Sequence, residues 1–317
     1  VSTVAPLEDN SEPQENQSFC HPTVGDIIEA MESFAPPQLA ESWDSNGLIC
    51  GERSATVRKI MLAVDPVNDV AGEAVEWGAD MLLTHHPLFL RGTNSVSCDD
   101  PKGKVIHTLI RSGVALYNAH TNLDSAHHGV AQALADVVGL ESDEPLEAND
   151  EYENLGIGRV GKLREPGTLR EVGWRIAQVL PDSVPGLLIS GDPDAEVRTM
   201  AVSGGAGDSL LGAARAKGVD AFLTADLRHH PAGEHAEGGK PFLICGTHWA
   251  TEWVGLPPVA DFLTTWAQDN GYSLTVRVSH LVTDPWTLRI PTGPLSEAVT
   301  YPYRDEERER ERLHDTM

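Results

Sequence analysis

Two adjacent histidines, His85 and His86, close an apolar run in GADMLLTHHPLFL (78–90). The run has the character of a buried strand feeding the end of a parallel sheet. Each of the two imidazoles needs a polar partner where it is buried, and at a strand end a metal ion is a good one. Consecutive side chains diverge, so the pair can serve two ions. Two further clusters also follow apolar strands: His120 with Asp124 in AHTNLD, and His248 with Glu252 in THWATE. Both read His-x-x-x-carboxylate. If a helix starts there, positions i and i+4 share a face, and one imidazole and one carboxylate aim at a common place. Taken singly, Asp124 fits a helix cap and His85-His86 fits a hydrogen-bonded turn. Taken together, the clusters point to metal.

Imidazole and carboxylate donors suit zinc, iron, manganese, cobalt or nickel, and the donor set lacks the thiolates of a soft-metal site. The donors exceed what one tetrahedral ion needs. Two divalent ions bridged by a carboxylate would clamp the attacking and leaving oxygens of a hydrolytic reaction and bring a water into the range of a neutral-pH nucleophile. His229-His230-Pro231 echoes the first HHP, and Asp226 and His230 are candidates for pocket lining or proton transfer. His127-His128 reads as a pocket rim or helix start. Between a strand and a helix, SGGAGDS (203–209) offers backbone N–H groups for an anion. It lacks a Walker lysine and the GxGxxG spacing, and a tight turn explains it as well. GIGRVG (156–161) marks a bend in a strand.

The elements that position these residues repeat. Thr23 and Thr168 each precede a helical pattern, HPTVGDIIEAMESF and TLREVGWRIAQVL. NGLICG then VRKIMLAVD matches GLLISGD then VRTMAVSGG. AGEAVEWGADMLLT matches LLGAARAKGVDAFLT, and GVALYNAHTNLD matches KPFLICGTHWATE. Val57 to Val197, Gly78 to Gly218 and Thr84 to Thr224 are all offset by 140, while Thr23 to Thr168 is 145 and His120 to His248 is 128. The order helix, strand, strand, helix, strand, strand therefore occurs twice, an α/β duplication that sets the ligand-bearing strand ends across a pseudo-twofold axis. The divisions read as an acidic extension at 1–20, a first α/β repeat at 21–130, a connecting segment at 131–165, a second repeat at 166–290 and a charged tail at 291–317.

The 317 residues carry a net charge of −25. That charge argues against direct nucleic-acid binding or adsorption to an anionic membrane. Residues 1–19 read as a disordered polar segment and 304–317 as an exposed charged run. The four cysteines form no CxxC pair, which argues against a thiolate zinc site. No run of 18 apolar residues and no basic-then-apolar leader occurs, so the expected compartment is the cytoplasm, with reduced thiols. The chain starts at Val rather than Met, which fits a trimmed start.

WDSNGLICG, GADMLLTHHPLF, AHTNLD, GIGRVG, SGGAG and GTHWATE, in this order, resemble the Nif-three-like dinuclear metal-centre family, whose members are commonly described as GTP cyclohydrolase I type 2 homologues. The resemblance runs from about His21 to about Pro291, and THHPLF with a downstream HTNLD is its most specific part. Ser45-Asn46 departs modestly from the family pattern. The resemblance implies an intertwined, duplicated α/β fold with mixed sheets and a homohexameric ring whose metal sites face an internal cavity. By motif match it implies two ions held by His85, His86, Asp124, His248 and Glu252, with Glu252 as the bridge. His120 is implied as an extra ligand or a group that orients one. The gap from Asp124 to Thr168 is too short for the domain that some members insert between the halves. Two functions follow as expectations. The first is a metal-dependent hydrolase acting on a small molecule, a nucleotide among the candidates, with His120 or His230 shuttling protons. The second is a non-enzymatic metal-handling ring.

Overall fold

Each half opens on a helix whose first turn is closed by its own side chains. Thr23 Oγ1 accepts the Asp26 N–H at 3.2 Å while Asp26 Oδ2 accepts the Thr23 N–H at 2.7 Å. This capping box starts α1 (Val24–Phe34), which buries Val24, Ile27, Ile28 and Met31. Thr168 and Glu171 repeat the device at the start of α6 (Leu169–Val179). The computed structural model describes residues 20–149, 151–152 and 154–290, so the expectations for 1–19 and 291–317 lie outside the described residues. The chain divides after Asp284 into two units, and every element named below belongs to the first.

The first sheet has the order β1-β4-β3-β2-β11. Three of its strands, β2 (Lys59–Ala63), β3 (Met81–Thr84) and β4 (Ala115–Asn118), run parallel. The last two are buried at every residue, as parallel strands covered on both faces must be. β1 (Gly47–Cys50) pairs antiparallel with β4. The second sheet has the order β5-β6-β8-β9-β10-β7. There β8 (Glu196–Ala206), β9 (Ala221–Ala225) and β10 (Phe242–Gly246) are parallel, and β7 (Leu188–Ser190) closes antiparallel on β10. The β1-β4-β3-β2 and β7-β10-β9-β8 orders are thus the same arrangement used twice. The likeness extends to side chains. Asp80 Oδ2 accepts the N–H groups of Arg58 and Lys59 at 2.7 and 3.0 Å, and Asp220 Oδ2 accepts those of Arg198 and Thr199 at 2.9 and 3.0 Å.

The fold is a duplicated α/β architecture with two mixed sheets. Between its parallel strands each half carries one crossover helix more than the sequence pattern suggests, and further helices follow the last of them. α2 (Asn68–Trp77) and α7 (Leu211–Ala216) occupy the expected places, while α3 (Pro101–Arg111) and α8 (His229–Glu237) are additional crossovers between parallel strands. Residues 131–165 also form elements. After α5 (Val130–Val138), β5 (Leu140–Ala148) and β6 (Gly156–Thr168) add two antiparallel strands to the second sheet. GIGRVG lies at the start of β6, where Gly158 has φ +68 and a Cβ would come within 3.0 Å of Val202 O. Near the end of the unit, β11 (Thr275–Val278) follows α10 (Leu256–Asp269) and pairs parallel with β2. The second half thereby contributes a strand to the first half's sheet, and the two halves are intertwined.

Candidate metal centre

The carboxyl ends of the two sheets meet, and the three histidine clusters lie at that junction. His85 and His86 follow β3 directly, and their N–H groups extend the ladder to Ala63 O and Val64 O. His120 precedes the short helix α4 (Thr121–Ser125), which carries Asp124. His248 opens α9 (His248–Trp253), capped by Thr247, and Glu252 lies one turn on. The i, i+4 geometry brings His248 Nε2 to 2.9 Å from Glu252 Oε1. His86 Nε2 stands 3.0 Å from Glu252 Oε2, and His85 Nε2 stands 3.6 Å from both Glu252 Oε1 and Asp124 Oδ1. His120 joins His85 and His86 in one candidate ligand group, and His86, His248 and Glu252 form another.

Every one of the four rings is held from behind at Nδ1. The partners are Ala119 O for His85 at 3.1 Å, Asp65 Oδ1 for His86 at 2.7 Å, Asp44 Oδ1 for His120 at 2.7 Å and Asp226 Oδ2 for His248 at 2.6 Å. A histidine that donates from Nδ1 presents an Nε2 lone pair, the form that ligates a metal. Four lone pairs then point inward, and those of His86 and His248 face each other at 3.2 Å. Such a contact repels unless a cation or proton lies between. Among the described residues, His85 Nε2 is buried without a hydrogen-bond partner, and Glu252 Oε2 meets only the facing His86 Nε2. Orphaned buried atoms of this kind cost about 1–3 kcal/mol each. The donor set, the imposed tautomers and the orphaned atoms all fit divalent cations.

The electrostatics of the metal-free cluster carry the same message. Burial pulls the imidazole pKa values down, yet the carboxylates outweigh it. Glu252 and Asp65 push His86 up to about 11, and Glu252 with Asp226 pushes His248 up to about 9. Asp124 and Glu252 likewise raise His85. Burial opposes the ionised form of Glu252, but His86, His85 and His248 hold its pKa well below the ordinary range. Burial dominates at Asp124 and raises it. The site thus binds positive charge strongly, first as protons.

Three orienting carboxylates escape the motif reading, or enter it only loosely. Asp44 accepts from His120, from Thr121 N–H at 3.0 Å and from Asn46 Nδ2 at 2.9 Å. Asp65 ends the segment that follows β2. Asp226 sits at φ +53, a backbone region that Asp tolerates better than most residues. Their only sequence signal is a position just past, or facing, a strand end. The SGGAG loop has a different role from the anion cradle considered above. The N–H of Gly205 goes to Thr251 Oγ1 at 3.0 Å, and that of Gly207 goes to Ala225 O at 3.4 Å. Gly205 has φ +63, and a Cβ there would fall 2.3 Å from Glu252 Oε1 and 3.0 Å from His248 Nε2. The glycines let the backbone form one wall of the cluster.

His230 lies exposed on α8 with its ring 5.1 Å from that of His229, and neither candidate ligand group includes it. His127 and His128 are exposed and pack on each other. A cavity of about 320 Å³ touches the cluster region through His86 and Asp65, with Val67, Leu88, Lys102 and Val105 among its other walls. The remaining cluster residues do not line it. No helix of the described residues is long and apolar enough to cross a membrane.

Known proteins share this architecture. The Duf34/NIF3 (NGG1p interacting factor 3) family model matches residues 22–285. A Streptomyces coelicolor protein named GTP cyclohydrolase 1 type 2 homolog is 46% identical over 283 residues, spanning 89% of this chain and 99% of its own length. A Mycobacterium tuberculosis protein of the same name is 32% identical, over 85% and 98%. Among solved structures, a Bacillus cereus protein related to NIF3 superposes with a TM-score of 0.80 at 24% identity, covering 85% of this chain and all of that one. The reduced HcgD of Methanocaldococcus jannaschii gives 0.69 at 29% identity, over 83% and 100%. With its two mixed sheets and a family match from residue 22 to 285, this chain belongs to the Duf34/NIF3 family.

Proposed function

We propose that the chain is a hydrolase-like protein working through a dinuclear metal centre. His85, His86, Asp124, His248 and Glu252 would hold two divalent ions, with Glu252 as the shared ligand. The observation that carries this reading is the Glu252 carboxylate. Its two oxygens face different histidines, Oε1 toward His248 and Oε2 toward His86, in a buried setting. Bound ions of the zinc, iron, manganese, cobalt or nickel type would polarise a water and a substrate oxygen. The chain's own part is to fix the donors and to handle the proton. His120, tied to Asp44 through Nδ1, keeps Nε2 within reach of the cluster and takes or returns a proton there. The names of the relatives make GTP the first substrate to try, and the assembly proposed is a homohexameric ring.

A second reading, metal handling without catalysis, is supported by the cavity, which meets the cluster region at His86 and its partner Asp65 and along none of the other proposed ligands. Metal analysis of folded, unchelated protein should give close to two ions per chain. Loaded protein should then turn over GTP or a generic phosphoester. Glu252→Ala should abolish both the second ion and turnover. At most one ion per chain removes the dinuclear reading, and two ions with no turnover on any loaded metal leaves metal handling.

A further inference from the structure

The segment that follows β11 passes behind the metal cluster and touches both halves of it. Ser279 N–H donates to Leu62 O at 2.7 Å, at the end of β2. Ser279 O accepts from Trp253 Nε1 at 2.8 Å, and Trp253 ends the helix that carries His248 and Glu252. Ser279 Oγ also reaches Glu73 Oε2 on α2 at 2.5 Å. Four residues on, the Thr283 hydroxyl donates to Asp65 Oδ2. The other oxygen of that carboxylate accepts from His86 Nδ1 at 2.7 Å. Thr283, Asp65 and His86 therefore form one chain of hydrogen bonds ending at an inward-facing Nε2. A carboxylate engaged at only one oxygen can swing about its Cβ–Cγ bond. One held at both cannot swing without losing a bond, and the ring it grips is held with it.

We propose that Thr283 is a positioning residue of the metal centre, acting through Asp65 to fix the tautomer and orientation of His86. The inference rests on the metal reading of the cluster and extends the site to a residue 197 positions from the ligand it serves, taking 283 minus 86. Among the described hydrogen bonds, the Thr283 side chain bonds Asp65 and none of the proposed ligands. Its effect is on how well His86 is preset for an ion.

The test uses the metal-free full-length chain titrated with cobalt(II), followed by calorimetry and by the visible absorption of the bound ion. Thr283→Val, which keeps shape and removes the hydroxyl, should weaken cobalt binding about 3- to 10-fold and alter the absorption envelope, and Thr283→Ser should restore both. Asp65→Ala should weaken binding about 10- to 100-fold, the usual range for losing an outer-sphere partner. Adding Thr283→Val to Asp65→Ala should change the affinity no further, because the hydroxyl acts only through that carboxylate. The thermal midpoint of metal-free Thr283→Val should match that of metal-free wild type within a degree or two. Wild-type affinity and spectrum in Thr283→Val overturn the inference. So does an equal loss with Asp65 present or absent, which places the hydroxyl's role in the fold. A wild-type chain that takes up no cobalt overturns the metal reading as well, which separates the two failures.

Discussion

At the scale of single residues, the cluster is a set of imidazoles whose protons stand where the proposed ions would bind. His86 and His248 titrate near 11 and 9 against an ordinary value of 6.5, because burial is outweighed by Glu252 with Asp65 and by Glu252 with Asp226. A raised folded-state value means that the protonated form stabilises the folded chain. That contribution is complete below about pH 6.5 and drains away as the pH rises through about 9 and then 11. The metal-free chain should therefore lose stability between pH 7 and pH 10, measurable as a falling denaturation midpoint. Metal-loaded protein should lose much less over that range, because its imidazoles are already deprotonated. Metal uptake at pH 7 should release protons, seen as a dependence of the apparent enthalpy on buffer ionisation. His85, His86, His120 and His248 are legible in sequence because each follows a strand end within a residue or two. Their orienting carboxylates are not, since Asp65 lies 21 positions from His86 and Asp44 lies 76 from His120. Only the fold brings them together.

At the scale of elements, the glycine-rich end of β8 matters as much as the helix bearing Glu252. Gly205→Ala adds a methyl group into space held by Glu252 Oε1 and His248 Nε2, at a backbone φ of +63 that alanine resists. The expected result is a folded chain, destabilised by about 1–3 kcal/mol, with at least a 10-fold loss of affinity for one ion. Calorimetric titration beside a denaturation curve checks both. The repeat was readable from matched strand ends and helix caps, because apolar period and capping chemistry are local properties. The crossover helices α3 and α8 were not. α3 begins at Pro101, after a polar stretch without apolar period, and α8 buries only His235. Parallel pairing requires a crossover at α8 whatever its own pattern, whereas α3 does bury Val105, Ile106 and Leu109 on one face, a signal the repeat comparison passes over.

At the scale of the molecule, histidines from both halves converge on the Glu252 carboxylate, so on the proposed metal reading an ion would clasp the two sheets. Loading should raise the thermal midpoint of a single cooperative transition. At a free metal concentration of 100 times Kd the gain is about 2.7 kcal/mol per independent ion. A calorimetric scan with and without metal checks this. Two separate transitions, with only one of them moved by metal, would show that the halves melt independently and that the site spans nothing.

The exchange of β11 into the first sheet also sets a timetable for synthesis. When the first half leaves the ribosome, β2 presents the edge that residues 275–278 cover in the folded chain. His85 and His86 emerge some 160 residues before His248 and Glu252. A nascent chain thus carries the first-half donors and an unpaired strand edge until residues 248–278 have been made. His248, Glu252 and β11 all fall within residues 248–278, so the second set of candidate donors and the strand that seals the first sheet arrive together.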